Sequence, residues 1–365
     1  MIFLSILILI FIVATILVFR LPGFGRLPSG KRLERMKASP NYKNGSFQNE
    51  SYTPSIVEGT SMLKVLKEFF FEKKERRKPS TEIPSVKTNL HAIDINKNVL
   101  VWFGHSSYYM QLDGKRILVD PVFCGHASPF FFSVKAFAGT EVCAAVDVPE
   151  IDLLIITHDH WDHLDYTTAK QIQPKVKQVI TGLGTGSHLE RWGYDNNIIT
   201  EMDWNEDVSP LPGFKISSIP ARHFSGRGLI RNKTLWLSFI LESPTKKIFI
   251  GGDSGYDKHF AETGKRFGPF DLAIIENGQY NQSWKYIHML PDEVVKAAKE
   301  LNAKRVIPVH SGKFALALHA WDEPLKLITE NKEAYHLNII TPMIGEVVDL
   351  DNENQDFSKW WEGID

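Results

Sequence analysis

The densest group of potential metal ligands in the sequence is the stretch THDHWDHLDY at positions 157–166. Within it His158, His160, Asp162 and His163 follow the pattern H-x-H-x-D-H. Imidazole nitrogen and carboxylate oxygen are ligands that a borderline cation such as Zn²⁺ accepts. In a turn that leaves a strand, neighbouring side chains point in different directions, so one short segment can supply ligands to two ions. The spacing therefore predicts a metal site rather than a surface loop that happens to be rich in histidine.

The element that must position this cluster is IDLLII, a continuous apolar run typical of a strand buried on both faces. Similar short runs recur from about residue 98 onward, and helical patterns such as PDEVVKAAKELN lie between them. Asp113-Gly114, between SSYYMQL and KRILVD, predicts a hairpin turn. Many strands with helices between them predict a layered α/β domain with sheets packed at its centre. Ligand sites in such folds favour the ends of strands, where the histidine cluster lies.

The pattern H-x-H-x-D-H after a buried strand resembles the metallo-β-lactamase fold, an αββα sandwich with a dinuclear metal site between its sheets. The resemblance implies that later strand ends supply the remaining ligands, and candidates occur in the implied order after FKISSIP, KIFI and RVIP. The family pattern assigns His158, His160 and His223 to one ion, Asp162, His163 and His310 to the other, and Asp253 to both. It also implies that Asp120 in ILVDPVF supports the site from behind the ligands.

Four stretches narrow the resemblance to one branch of this fold: WFGHSSYYMQLDGKRILVDPVF, HASPFFF, ITHDHWDHLDY and YIHMLPDE. They resemble the branch that contains N-acyl-phosphatidylethanolamine-hydrolysing phospholipase D, over about residues 38–345. The resemblance implies a zinc-dependent phosphodiesterase with two Zn²⁺ ions and a phospholipid substrate. Two ions about 3.5–4 Å apart can hold a hydroxide between them at neutral pH and stabilise charge on the phosphorus that it attacks.

The resemblance implies catalytic roles for Asp162 and His288. His288 in YIHMLPDE matches a histidine that the phospholipase branch places beside the metals, where it would hydrogen-bond a phosphoryl oxygen or protonate the leaving group. The alternative is a helix-start histidine bound to backbone. The stretch SPFFFSVKAFAG fits either ordinary core or an apolar wall for acyl chains; its phenylalanines are Phe130, Phe131, Phe132 and Phe137.

The first nineteen residues carry no charge, and basic residues follow from Arg20 onward. A helix over 1–19 would rise roughly 28 Å, close to the thickness of bilayer hydrocarbon. The run therefore predicts an uncleaved transmembrane anchor, with a cleaved signal peptide as the rival. The positive-inside rule then predicts a catalytic domain on the cytoplasmic side of a membrane.

Composition and turn signals divide the rest of the chain. Residues 20–90 predict an N-terminal extension that packs on the main domain and contains a helix near 62–70. Residues 91–350 predict the hydrolase domain, and 351–365 a C-terminal tail. A formal net charge of −1 argues against a nucleic-acid partner. The expected partners are a phospholipid substrate, a membrane contacted through the N-terminal helix, and a second copy in a homodimer.

Three other functions stay open from the sequence alone. They are a lactonase or β-lactamase-like hydrolase of a soluble substrate, an iron-loaded redox or sensing module, and a non-catalytic metal-dependent binding protein. The diiron flavoprotein relatives of the fold carry a carboxylate where His160 stands, so this sequence favours zinc. The complete ligand set disfavours a binding protein without catalysis, because a degenerate member would be expected to have lost ligands.

Overall fold

The computed structural model describes residues 2–71, 75–335 and 337–364. Its helices are α1 (Ile2–Phe19), α2 (Gly30–Ala38), α3 (Met62–Phe71), α4 (Tyr166–Ile172), α5 (Gly186–Arg191), α6 (His259–Phe267), α7 (Pro291–Glu300) and α8 (Glu323–Tyr335). Its strands are β1 (Tyr42–Lys43), β2 (Ser46–Phe47), β3 (Val99–Trp102), β4 (Tyr108–Leu112), β5 (Lys115–Val119), β6 (Leu153–Ile156), β7 (Val179–Gly182), β8 (Ile199–Met202), β9 (Asp207–Val208), β10 (Lys215–Ile219), β11 (Ser238–Glu242), β12 (Lys247–Ile250), β13 (Leu272–Glu276), β14 (Val306–Val309) and β15 (Val347–Asp349).

Two mixed sheets contain every described strand except β1 and β2, which pair with each other. The N-terminal sheet has the order β15-β3-β4-β5-β6-β7-β8, and the C-terminal sheet has the order β14-β13-β12-β11-β10-β9. Because β3, β4 and β5 alternate in direction and β5 pairs parallel with β6, strands β3, β5 and β6 run the same way. By the same reasoning β10, β12, β13 and β14 share one direction. Each sheet therefore brings several strand C-termini to one edge.

Alternate side chains of the strands separate the molecule into layers. In β6, Leu153 and Ile155 join the central cluster that also holds Ile248 and Ile250 of the facing sheet. Leu154 instead packs in an outer cluster that includes side chains of α4 and α5. Along the strands of the C-terminal sheet, residues of the central cluster alternate with residues that face outward. These outward residues pack with side chains of α6, α7 and α8. Helices thus cover both outer faces, which is the predicted αββα arrangement.

The hairpin predicted at Asp113-Gly114 joins β4 to β5. Both residues have positive φ angles, 46° and 75°, as a two-residue hairpin turn of this kind requires. The helix predicted near 62–70 is α3, while residues 72–74 of the basic run that follows lie outside the described residues.

Helix α1 coincides with the uncharged run predicted to be a transmembrane anchor, and its apolar side chains, including Phe3 and Phe11, are exposed. Among the described residues, no helix combines the length and apolar character needed to cross a membrane. The predicted transmembrane helix is therefore not supported.

Segments on both sides of the predicted hydrolase domain contribute to its core. Met36 of α2 and Phe47 of β2 are fully buried in the central cluster. Arg32 of α2 pairs with Glu201 of β8, with Nε 2.9 Å from Oε2. At the other end of the chain, Trp360 and Trp361 are buried in the same central cluster. Residues of the predicted extension and of the predicted tail are therefore packed against the sandwich.

Candidate metal centre

The candidate site lies where strand C-termini of the two sheets meet. Each of its polar side chains comes directly after, or within a few residues of, the last residue of a strand. In the N-terminal sheet these are His105 after β3, Asp120 after β5 and the 158–163 segment after β6. In the C-terminal sheet they are His223 after β10, Asp253 after β12 and His310 after β14. The apolar strands thus fix the polar residues at a single edge.

Three histidine nitrogens converge in the first of two groups. His158 Nε2 lies 3.0 Å from His160 Nδ1, which lies 3.2 Å from His223 Nε2. Asp253 Oδ2 completes the group at 3.6 Å from His223 Nε2 and 3.8 Å from His158 Nε2. Four ligands around a zinc ion at about 2.0–2.1 Å would be about 3.3 Å apart. The spacing of these atoms therefore fits a tetrahedral cation.

The second group shares Asp253 with the first. His163 Nε2 lies 3.2 Å from Asp253 Oδ1, and His310 Nε2 lies 3.2 Å from Asp253 Oδ2. His310 Nε2 is also 3.3 Å from Asp162 Oδ2. Among the described residues, His163 Nε2 and Asp253 Oδ1 are buried side-chain atoms with no well-formed hydrogen bond. Buried polar atoms are normally paired, so these two suit a cation that they would both bind.

The structure therefore brings all seven predicted ligands together: His158, His160, Asp162, His163, His223, Asp253 and His310. Asp253 contacts both groups, as the family pattern implies for a bridging carboxylate. These donor atoms, nitrogen and carboxylate oxygen, are of the type that zinc accepts.

Residues behind the ligands orient the imidazole rings. Asp120 accepts hydrogen bonds from the backbone N–H and the hydroxyl of Thr157, at 2.8 and 2.6 Å. Its Oδ2 also lies 2.8 Å from His163 Nδ1. His223 Nδ1 lies 2.9 Å from the carbonyl oxygen of Ile287. In both rings the bonded Nδ1 leaves Nε2 for the centre, which is how supporting groups usually fix metal-binding histidines.

The pKa values of Asp162, His158 and His160 are shifted toward the forms that bind a metal, whereas the carboxylates of Asp253 and Asp162 outweigh burial and raise the pKa of His163 well above its usual value. Burial alone would raise the pKa of Asp162, but the surrounding histidines, His163 first, hold that pKa well below its usual value. Burial lowers the pKa of His158 well below its usual range and that of His160 to about 4. Deprotonated carboxylates and neutral imidazoles are the ligand states.

An arginine holds the histidine loop, residues 157–165, in place. Arg227 is buried, and its guanidinium carbon lies 3.9 Å from the centre of the Trp161 ring. Its Nη1 donates to the carbonyl oxygens of Asp159 and Leu164, at 2.8 and 2.5 Å. Asp159 itself points away from the ligands and accepts from Gly226 N–H at 2.7 Å. The variable positions of the motif therefore fasten the loop from its rear side.

Two residues at the centre were not anticipated from the sequence. His105 Nε2 lies 2.8 Å from Asp162 Oδ2, and both side chains are buried. Glu276, the last residue of β13, places Oε2 at 2.7 Å from His288 Nδ1. The partner of the His288 ring is thus a carboxylate and not backbone. His105 comes three residues after the end of β3, close to a strand end as the predicted ligands are, and that position is the signal that could have identified it.

Five of the seven ligands, drawn from both groups, form the polar floor of a cavity of about 420 Å³. His288 lines this cavity together with Arg231. The rest of its wall is largely apolar and includes Met62, Phe69, Trp161, Phe224, Trp284, Ile287 and Leu316. Of the phenylalanines singled out in the sequence, Phe137 belongs to the core, whereas Phe131 and Phe132 are 74% and 65% exposed. Ala127, close to them in the chain, lines the cavity.

An αββα sandwich with this ligand set at the meeting edge of its sheets is the scaffold of a metal-dependent hydrolase. Residues 115–311 match the beta-lactamase superfamily domain, and the chain belongs to that superfamily. It is 33% identical over 327 residues to an uncharacterized protein of Mycobacterium tuberculosis. The aligned region covers 88% of this chain and 87% of the relative.

Two further similarities agree with this assignment. The chain is 29% identical over 264 residues to N-acyl-phosphatidylethanolamine-hydrolyzing phospholipase D 1 of Caenorhabditis elegans, covering 67% of this chain and 74% of the relative. Among solved structures, a metallo hydrolase from Ignicoccus hospitalis superposes with a TM-score of 0.54 at 21% identity. That match covers 69% of this chain and 97% of the other.

Proposed function

We propose that this protein is a zinc-dependent phosphodiesterase of phospholipase D type that hydrolyses N-acyl-phosphatidylethanolamine or a related phospholipid. The observation that carries the proposal is the cavity, in which the candidate ligands form a polar floor beneath largely apolar walls. A phosphodiester at the floor and an acyl-bearing group against the walls would match this distribution. The similarity to the phospholipase of Caenorhabditis elegans supports the same substrate class.

The seven ligands would hold two zinc ions, with Asp253 shared between them. Bound there, the ions would supply positive charge to phosphoryl oxygens and lower the pKa of a water molecule. We assign a catalytic role to Asp162 together with His288. The contact with His105 holds the Asp162 carboxylate in the second group. In the reaction, the water oxygen forms a bond to phosphorus and the bond from phosphorus to the N-acylethanolamine oxygen breaks.

Two other side chains of the cavity wall would act on the substrate. Arg231 lines the cavity as a cation and would pair with the anionic phosphodiester. His288 lines it as well and would contact the leaving oxygen, which must gain a proton as it departs. Water would be excluded from the leaving group by Phe224 and Trp284, whose rings line the same wall.

Contact with a lipid surface is part of the proposal. Helix α1 exposes apolar side chains along its length, and Phe131 and Phe132 are exposed on a loop that borders the cavity through Ala127. We propose that these groups bring the enzyme to lipid presented in a membrane, with the catalytic domain on the cytoplasmic face. Flotation of the full chain with liposomes tests the contact, and a C-terminal reporter fusion active only outside the cytoplasm tests the side.

The activity is tested by incubating zinc-loaded protein with N-acyl-phosphatidylethanolamine, other phospholipids and a set of lactones, followed by mass spectrometry of the products. We expect phosphatidic acid and N-acylethanolamine from the first substrate and no product from Asp253→Ala. Lactone opening without cleavage of any phosphodiester would instead favour the soluble-substrate hydrolase.

A further inference from the structure

Glu276 is a buried carboxylate that none of the roles above uses. It ends β13 in the apolar run LAIIE and is 2% exposed. Burying a carboxylate costs several kcal/mol unless its oxygens are paired. Both oxygens are paired here: Oε1 accepts from the backbone N–H of Met289 at 2.6 Å, and Oε2 lies 2.7 Å from His288 Nδ1. Both partners belong to the same short segment, residues 288–289.

The His288 ring lies between one histidine of each metal-binding group. Its centroid is 5.0 Å from that of His223 and 5.0 Å from that of His310, and it is stacked on His310 at an angle of 23°. Since Nδ1 faces Glu276 behind the ring, Nε2 is the nitrogen left for the cavity. Glu276 Oε2 is also 3.7 Å from His310 Nδ1, so a single carboxylate stands behind both rings.

We propose that Glu276 is the positioning residue for His288, holding the ring by Nδ1 so that Nε2 faces the leaving oxygen of the substrate. The inference rests on the proposed function for the identity of that oxygen. The orientation of the ring does not rest on it.

The proton between the two side chains does not alter this orientation. Burial, together with the Asp253 carboxylate, raises the pKa of Glu276 well above its usual value, and burial lowers the pKa of His288. The 2.7 Å separation of Oε2 and Nδ1 requires a proton on one of these two atoms, because two unprotonated acceptors would repel each other. With the proton on either atom, the hydrogen bond is kept and Nε2 stays directed at the cavity.

A close backbone approach fixes the segment that carries His288. Gly255 follows Asp253 by two residues, and a Cβ atom at Gly255 would lie 2.1 Å from the carbonyl oxygen of Tyr286. His223 Nδ1 meets the next carbonyl, that of Ile287. The backbone thus brings the segment against the metal centre, while Glu276 sets the angle of the ring.

The variants that test this are Glu276→Met, which removes the hydrogen bond at similar volume, and Glu276→Gln, whose amide can still bond Nδ1. We expect Glu276→Met to lower turnover of a diester with an alkyl leaving group at least about 10-fold, because ring position governs proton transfer. The loss should be smaller on a nitrophenyl diester, which needs little protonation. Glu276→Gln should retain more turnover than Glu276→Met. Glu201→Met removes another buried carboxylate, remote from His288, and controls for general destabilisation.

A double-variant cycle separates positioning from a structural role. In a His288→Ala background, Glu276→Met should cause no further loss, because the residue acts through the ring. Additive losses, or equal turnover of Glu276→Met and wild type, would overturn the proposal. A crystal structure of zinc-loaded Glu276→Met needs no substrate and should show the His288 ring turned from the cavity. An unmoved ring would overturn the positioning role even if phospholipase activity is found, whereas a turned ring in a protein without that activity would refute only the proposed function.

Discussion

Asp120 offers the sharpest test of how the centre is assembled, because it touches a ligand without being one. Its Oδ2 receives both the Thr157 hydroxyl at 2.6 Å and His163 Nδ1 at 2.8 Å, while Oδ1 receives the Thr157 N–H at 2.8 Å. In Asp120→Asn, an NH₂ group replaces one of the two carboxylate oxygens. If the oxygen stays at the Thr157 N–H, the new NH₂ faces His163 Nδ1.

The consequence is a change of tautomer in His163. An NH₂ donor opposite Nδ1 favours a ring with its proton on Nε2, the atom that faces the metal-binding group, and such a ring must lose that proton to bind a cation. Loss of a supporting residue of this kind typically costs 10–100-fold in metal affinity, which is about 1.4–2.8 kcal/mol. Competition with a chromogenic zinc chelator, read at equilibrium, measures the change. We expect one of the two zinc equivalents to weaken by this factor.

A matched control lies in the same loop. Asp165 is also buried and caps α4 by accepting from the N–H groups of Thr167 and Thr168, at 3.2 and 2.7 Å. Asparagine caps helices about as well as aspartate, so Asp165→Asn should leave both zinc affinities unchanged. Unaltered zinc binding in Asp120→Asn, or an equal loss in the two variants, would refute the role given to Asp120.

Asp253→Ala should remove both metals or nearly all activity, since its carboxylate serves both groups, and elemental analysis beside an activity assay checks this. If Asp253→Ala is fully active and still binds two ions, Asp253 is not a bridging ligand. Arg227→Met should lower the free energy of unfolding by about 3 kcal/mol, because carbonyl oxygens inside the histidine loop lose their donor; urea titration measures it. Phe131→Ser and Phe132→Ser should weaken action on micellar lipid far more than on a soluble diester. Equal effects on both substrate forms would count against a lipid-facing role.

The cluster at 158–163 was predictable from its spacing after a buried strand, whereas His223, Asp253 and His310 were assigned through the resemblance to the metallo-β-lactamase fold. His158, His223, Asp253 and His310 all interrupt the sequence at the point where a buried run ends, and the αββα arrangement then requires these ends to meet. The layered α/β fold was predictable from the hydrophobic pattern, since β6 and β14 are short continuous apolar runs and β12 is apolar after its first residue. The hydrophobic pattern thus indicates the layered fold, and the family resemblance supplies the ligand assignment.

What the sequence could not show is pairing between distant residues. Glu276 stands in the run LAIIE, where a strand end beside solvent would accommodate a glutamate equally well; its burial is explained by its contacts with His288 and with the backbone N–H of Met289, twelve and thirteen residues later. Trp360 and Trp361 lie in a polar C-terminal stretch without helix or strand period, yet they fill space beside Trp102 in the central cluster. Such contacts depend on the whole fold and leave no local signal.

Several residues near the strand ends of the site have a backbone conformation that glycine adopts more easily than other residues do. His105, Asp120, Gln279 and His310 have φ angles of 53°, 42°, 57° and 67°, in the left-handed region that costs most residues about 1–2 kcal/mol each. His105 and His310 hold each other there: His310 N–H donates to the His105 carbonyl at 2.9 Å, and His105 N–H donates to that of Ser311 at 2.9 Å. These bonds join the two sheets at this edge, because His105 lies three residues after β3 and His310 directly follows β14. Strain at His105 and His310 is therefore offset by these hydrogen bonds between the segments that follow the two strands.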